Sequence, residues 1–290
     1  MWPAQSSVIS QVFTAALVAL SSVSAWGSDY HSPRTAALGG AGHAGPLLND
    51  SIYLNPSYST FIQTQSIGFG LQKYSGDNGY YGRLYNLSVQ DGRSALFAAG
   101  AGYTVKENGA YLHMGAAKSF IQRTGFGLGA KFYLPNSSAS QAARDLNFSF
   151  SGILSEWMQL SFTIDNLLSS PSSQANGWYR EFIVGTKANV MGILLFYIDP
   201  HYTPDIIYAD ANWGIEFGTE LTLFKDVFLR GGFFNNANVP YLNTIGKGFG
   251  FGLGWIAPRI SLDYAFYRAT ETKAGHPATT AHTLGATVYF

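Results

Sequence analysis

The feature that most constrains the fold is an alternation of side chains with a period of two, repeated along most of the chain. Phe249, Phe251, Leu253 and Trp255 interleave with Gly248, Gly250, Gly252 and Gly254. Ile260, Leu262, Tyr264 and Phe266 oppose Ser261, Asp263, Ala265 and Tyr267, while Trp213, Ile215 and Phe217 oppose Gly214, Glu216, Gly218 and Glu220. Runs at 66–72, 145–150 and 158–165 follow the same rule. Successive side chains of a strand point to opposite faces, so each run reads as an amphipathic strand. A soluble barrel turns its large apolar face inward; a membrane barrel turns that face to lipid. The glycines favour the second arrangement, because an unbroken glycine row would leave a wet surface almost bare, whereas facing inward it makes room for something inside. Composition agrees: charged residues are 12% and aromatics 16%, against about 25% charged in ordinary soluble domains.

About fourteen strand segments are expected, an even number that returns both termini to one, periplasmic side. They begin near residues 62, 80, 94, 109, 123, 144, 156, 178, 191, 212, 227, 246, 259 and 280. Links at 91–93, 155–156, 189–190, 225–226 and 257–258 are tight, and those at 135–143, 166–177, 199–211, 235–245 and 268–279 are longer and polar. Short turns on one rim and longer loops on the other are the outer-membrane pattern. Leu284, Ala286, Val288 and the terminal Phe290 share the lipid parity. A final strand closing on Phe resembles the signal read by the barrel-assembly machinery, an expected partner during biogenesis.

The front of the chain does not alternate. Residues 1–25 read as a secretory signal peptide, apolar from Val8 to Val23 and ending in the small residues Val23-Ser24-Ala25; the alternative is a buried N-terminal helix. Residues 34–61, RTAALGGAGHAGPLLNDSIYLNPSYSTF, fit neither helix nor strand. The expected division is therefore a signal peptide at 1–25, a plug or hatch at 26–61 and a transmembrane barrel at 62–290. The fold class is all-β, an antiparallel barrel with the plug in its lumen.

With a Gly/Ala run at Gly39, Gly40, Ala41 and Gly42, an acidic patch at Asn49-Asp50 and the dipeptide Asn55-Pro56, the chain resembles the FadL-type hydrophobic-compound transporters and their PorV-like relatives. That resemblance implies a fourteen-stranded barrel whose N-terminal hatch carries these motifs; the family usually follows Asn-Pro with Ala, where this chain has Ser57. It implies passive, plug-gated transport of small hydrophobic or amphipathic, fatty-acid-like molecules across the bacterial outer membrane. The alternative is a non-transporting scaffold of the PorV-like kind. Asn55 is expected to anchor the plug through hydrogen bonds, and Pro56 to fix the turn toward the first strand.

Other chemistry is weakly signalled. Lysine plus arginine and aspartate plus glutamate both total 17, so no charge excess points to nucleic acid. There is no cysteine, which excludes disulfides, thiolate metal sites and a thiol nucleophile. No histidine is followed two residues later by serine, as an outer-membrane phospholipase would need. Asp199, His201, Asp205 and Asp210 read as a solvated loop, and carboxylates there are more often surface than metal ligands. No enzyme activity, cofactor or metal is expected. The expected partners are outer-membrane lipid and a hydrophobic small molecule. Lys131, Glu216, Glu220, Arg230 and Asp263 face the lumen by parity, and burial there demands partners, most simply ion pairs that hold the plug.

Overall fold

The computed structural model describes residues 30–290, apart from 78–80, 95, 137–140, 243 and 274. The expected signal peptide lies outside the described residues. Fourteen strands follow one another: β1 (Gln65–Gly76), β2 (Tyr81–Asp91), β3 (Ala98–Lys106), β4 (Gly109–Lys118), β5 (Thr124–Pro135), β6 (Ala143–Ile153), β7 (Met158–Asp165), β8 (Glu181–Val190), β9 (Leu194–Tyr202), β10 (Trp213–Leu223), β11 (Val227–Val239), β12 (Thr244–Ala257), β13 (Ile260–Thr272) and β14 (Thr279–Tyr289). Each pairs antiparallel with the next, and β14 returns to β1 from Ser66↔Tyr289 to Gly76↔Thr279, which closes the barrel. Closure leaves no strand edge unpaired, the condition for a sheet to stand in hydrocarbon.

The faces sort as a membrane barrel requires. Phe69, Leu128, Val184, Leu253, Leu284 and Phe290 are exposed on the outside. Gln72, Asn86, Ser149, Thr163, Glu220 and Arg230 are buried on the inside. A polar interior beneath an apolar exterior inverts a soluble core and makes lipid the outer solvent.

Several boundaries move. Trp178 is not a strand residue: the link from β7 to β8 holds a short helix, Pro171–Ala175, N-capped by Ser170, which folds Trp178 inward beside Tyr111, Tyr133 and Ala143. Met191 belongs to a turn, with Met191 and Gly192 both at positive φ. β9 runs on through Tyr202, so Asp199 and His201 lie in a strand and not in a solvated loop. A bulge between Asn235 and Ala237 lets β11 continue to Val239. The alternation of tight and long links is broken in several places. On the long-loop rim β3 and β4 join through Glu107 and Asn108 alone, and β1–β2 and β11–β12 through 77–80 and 240–243, while on the other rim the link expected at 91–93 runs over 92–97.

Candidate functional site

The segment from Tyr30 to Phe61 is packed against the inward side chains of the barrel. It contains helix α1 (Pro33–Ala37), a 3-10 turn (Leu48–Asp50), helix α2 (Ser51–Leu54) and a second 3-10 turn (Pro56–Phe61). Helix α1 starts where Ser32 Oγ accepts from Thr35 N at 3.1 Å and Pro33 supplies a pre-set φ. It ends where Gly39, Gly40 and Gly42 take φ of 68°, 96° and 132°, conformations that side chains disfavour. The helix backbone then rests directly on the wall. A Cβ at Gly250 would stand 2.0 Å from the carbonyl oxygen of Ala36, and one at Gly232 would stand 2.2 Å from that of Leu38. Inward glycines such as Gly218, Gly232, Gly250 and Gly252 thus make room for this segment, while Gly248 and Gly254 make room for side chains and backbone of the wall itself.

Its anchors are polar. Asn55 is fully buried; its Nδ2 donates to His43 O at 2.6 Å and to Ser151 Oγ at 2.8 Å, and its Oδ1 accepts from Ser57 Oγ at 2.6 Å. Ser57 N donates to Ser149 Oγ at 2.9 Å, and the hydroxyls of Ser57 and Ser151 lie 2.7 Å apart. The Ser57 hydroxyl therefore has two partners, the Asn55 amide oxygen and the Ser151 hydroxyl. Pro56 opens the second 3-10 turn against Gly115 and Gly127, ahead of β1. Asn49 Nδ2 donates to Ser88 Oγ at 2.8 Å, and its Oδ1 accepts from Ser66 Oγ.

The lumenal charges do not form one cluster. Arg34 Nε donates to Glu220 Oε2 at 3.1 Å, its Nη2 donates to Tyr197 OH at 2.7 Å, and its Nη1 lies 3.9 Å from Asp50. Glu220 also accepts from Arg230, its cross-strand neighbour, and Arg230 reaches Asp263. Burial pushes the Asp50 carboxyl up to about 6, against the opposing pull of Arg34. Lys131 stands apart, paired with Asp165 and 5.4 Å over the Trp178 ring. Glu216 faces Asp199 directly across the β9–β10 ladder. His43 sits between them, its Nδ1 at 2.9 Å from Asp199 Oδ2 and 4.0 Å from Glu216 Oε2. Asp199 Oδ2 also accepts from Gly42 N at 2.7 Å and His43 N at 2.9 Å.

Asp199, His201, Asp205 and Asp210 do not converge. The first two are buried inside the barrel, Asp205 lies 3.8 Å from Arg180, and Asp210 pairs with Lys273. Sequence reasoning missed Arg34, His43 and Tyr197 as partners. The signal for Arg34 is its charge, isolated in a run of small and apolar residues.

Among the described residues the inner cavities are small. A cavity of about 60 Å³ lies among Arg34, Asp50, Asn86 and Asp263, and another of about 40 Å³ among Gly40, His43, His201 and Glu216. At the rim away from the termini, the fully buried Tyr241 stacks on Tyr74 with ring centres 4.9 Å apart. At the terminal rim an open groove of about 510 Å³ runs beside Thr60, Arg93, Phe97 and Lys118.

No protein-family model and no curated protein matches the sequence. Solved structures do. The monoaromatic hydrocarbon channel CymD aligns at a TM-score of 0.67 and 12% identity, over 91% of this chain and 98% of that one. The Pseudomonas putida toluene transporter TodX gives 0.61 and 11%, over 92% and 99%. A Pseudomonas aeruginosa FadL homologue gives 0.62 and 11%, over 91% and 99%. The likeness is one of fold, that of FadL-type outer-membrane channels, and it spans about nine-tenths of this chain.

Proposed function

We propose that this outer-membrane barrel passes small hydrophobic molecules, and that residues 26–61 are a hatch whose displacement opens the path. The observation that carries the reading is a lumen occupied by a chain segment held through hydrogen bonds and ion pairs. The polar contacts are ones that water can replace when the segment moves, while the wall keeps its own backbone pairing. The fold likeness to CymD, TodX and the FadL homologue supports a hydrophobic cargo. The inner cavities of about 60 and 40 Å³ fit water better than an aromatic ring or acyl chain, which supports reading this conformation as a closed one.

The test is a tether. The chain has no cysteine, so Ser57→Cys with Ser151→Cys introduces a single pair where the hydroxyls already approach to 2.7 Å. In liposomes, the reduced variant takes up toluene or a fatty acid and the oxidised one does not, with uptake restored by reductant. Equal uptake in both states removes the hatch. No uptake by the wild type either removes transport and leaves the scaffold reading, which the closely filled lumen favours.

A further inference from the structure

We infer that His43, Asp199 and Glu216 form a binding site for a divalent transition-metal ion that clasps the N-terminal segment to β9 and β10. The residues come from three places in the chain, yet one ligand atom from each lies within 4.8 Å of the others. A tetrahedral ion with bonds of about 2.0–2.2 Å sets its ligands about 3.4 Å apart. The 2.9 and 4.0 Å separations from His43 Nδ1 to the two carboxylates bracket that value.

Charge leads to the same place. Asp199 and Glu216 are direct cross-strand partners on one inward face, an arrangement of like charges that destabilises a sheet. Four positions along the same strand, Glu220 is answered by Arg230. No lysine or arginine pairs with Asp199 or Glu216 among the described residues; His43 alone stands between them. Glu216 is 6% exposed, takes part in no hydrogen bond among the described residues, and lines the cavity of about 40 Å³. Asp199 Oδ1 is likewise buried without a partner. Asp199 Oδ2 is well satisfied, but a buried Glu216 and Asp199 Oδ1 with no hydrogen-bond partner leave two like charges side by side, a cost that a cation at their junction removes.

The details suit an ion. His43 Nδ1 releases its proton and ligates as neutral imidazole, while the backbone N–H groups of Gly42 and His43 keep orienting Asp199 Oδ2. The adjoining cavity has room for a water to complete the coordination. Gly40 belongs to the site, because a Cβ there would stand 2.2 Å from Glu216 Oε1. One imidazole with two carboxylates favours zinc or a neighbouring first-row ion over magnesium or calcium, which prefer all-oxygen sites. This site stands apart from the transport reading and holds whether or not the barrel carries cargo.

The experiment uses the whole protein, folded in detergent and stripped with a chelator, then titrated with Co²⁺ and Zn²⁺. One equivalent of Co²⁺ is expected to give visible absorption bands that Zn²⁺ bleaches, with a rise in unfolding temperature. Glu216→Gln and His43→Ala should each weaken binding by about tenfold or more, while His282→Ala, on the exposed outer face, should not. Absence of stoichiometric binding by the folded wild type overturns the proposal. So does binding that survives Glu216→Gln and His43→Ala unchanged. If neither variant folds, the decision rests on wild-type stoichiometry and the temperature shift.

Discussion

At the residue scale, Arg34 is the side chain on which the inner polar network turns. It joins the segment to Glu220 and Tyr197 on the wall and approaches Asp50 within the segment. Arg34→Ala leaves buried acids short of a partner, and such a loss costs about 3–5 kcal/mol. Urea unfolding in micelles should show a loss of that order, and limited proteolysis should cut residues 30–61 sooner while the strands persist. Asp50 gives a pH signature. Its carboxyl is raised from 3.8 to about 6 by burial, so the folded form holds a proton that the unfolded chain has already released. The stability this contributes is fully present below about pH 4 and is lost as pH rises through about 6. Asp50→Asn stays neutral throughout, so the wild type should lose stability relative to this variant between pH 4 and 7. A constant difference between the two would sink the assignment.

At the element scale, α1 with its cap and the inward glycines Gly232 of β11 and Gly250 and Gly252 of β12 are two halves of one contact. Gly232 and Gly231 are adjacent on β11 and point to opposite faces. A Cβ at Gly232 collides with the Leu38 carbonyl at 2.2 Å, whereas one at Gly231 meets nothing nearer than 4.0 Å. Gly232→Ala should therefore destabilise by about 1–3 kcal/mol, the usual cost of overpacking, and dislodge α1. Gly231→Ala should be close to neutral. Hydrogen exchange at residues 33–40 checks the pair: equal protection in the two variants would mean that the helix does not rest on the wall as described.

At the scale of the whole molecule, two structures of different kinds are nested. The wall is a closed hydrogen-bonded cylinder that owes nothing to the segment for its backbone pairing. The segment owes its place to the wall. The cysteine tether between residues 57 and 151 should accordingly change uptake without changing the barrel's strand content. Circular dichroism measured beside the uptake assay would expose any wider distortion.

The barrel was legible in the chain because a strand's period of two is local. Parity put Phe249, Phe251 and Leu253 on lipid and Lys131, Glu216, Glu220 and Arg230 inside without any knowledge of neighbours. The irregular stretch 34–61 and its Asn55-Pro56 were equally visible. Local pattern fails where an element is shaped by distant contacts. Trp178 has the composition of a strand start, but it is drawn inward by Tyr111 and Tyr133 from other strands. Asp199 and His201 flank Pro200 and read as a loop, yet pairing with β10 holds them in a strand. Partner choice lay further out of reach. That Glu220 finds Arg34 and Arg230 while Glu216 finds Asp199 and His43 depends on strand register and on where the segment settles. The sequence by itself determined a wall, its two faces and something inside it. The tertiary structure alone decided which charges meet, because side chains 150 or more positions apart are joined only when the barrel closes around the segment.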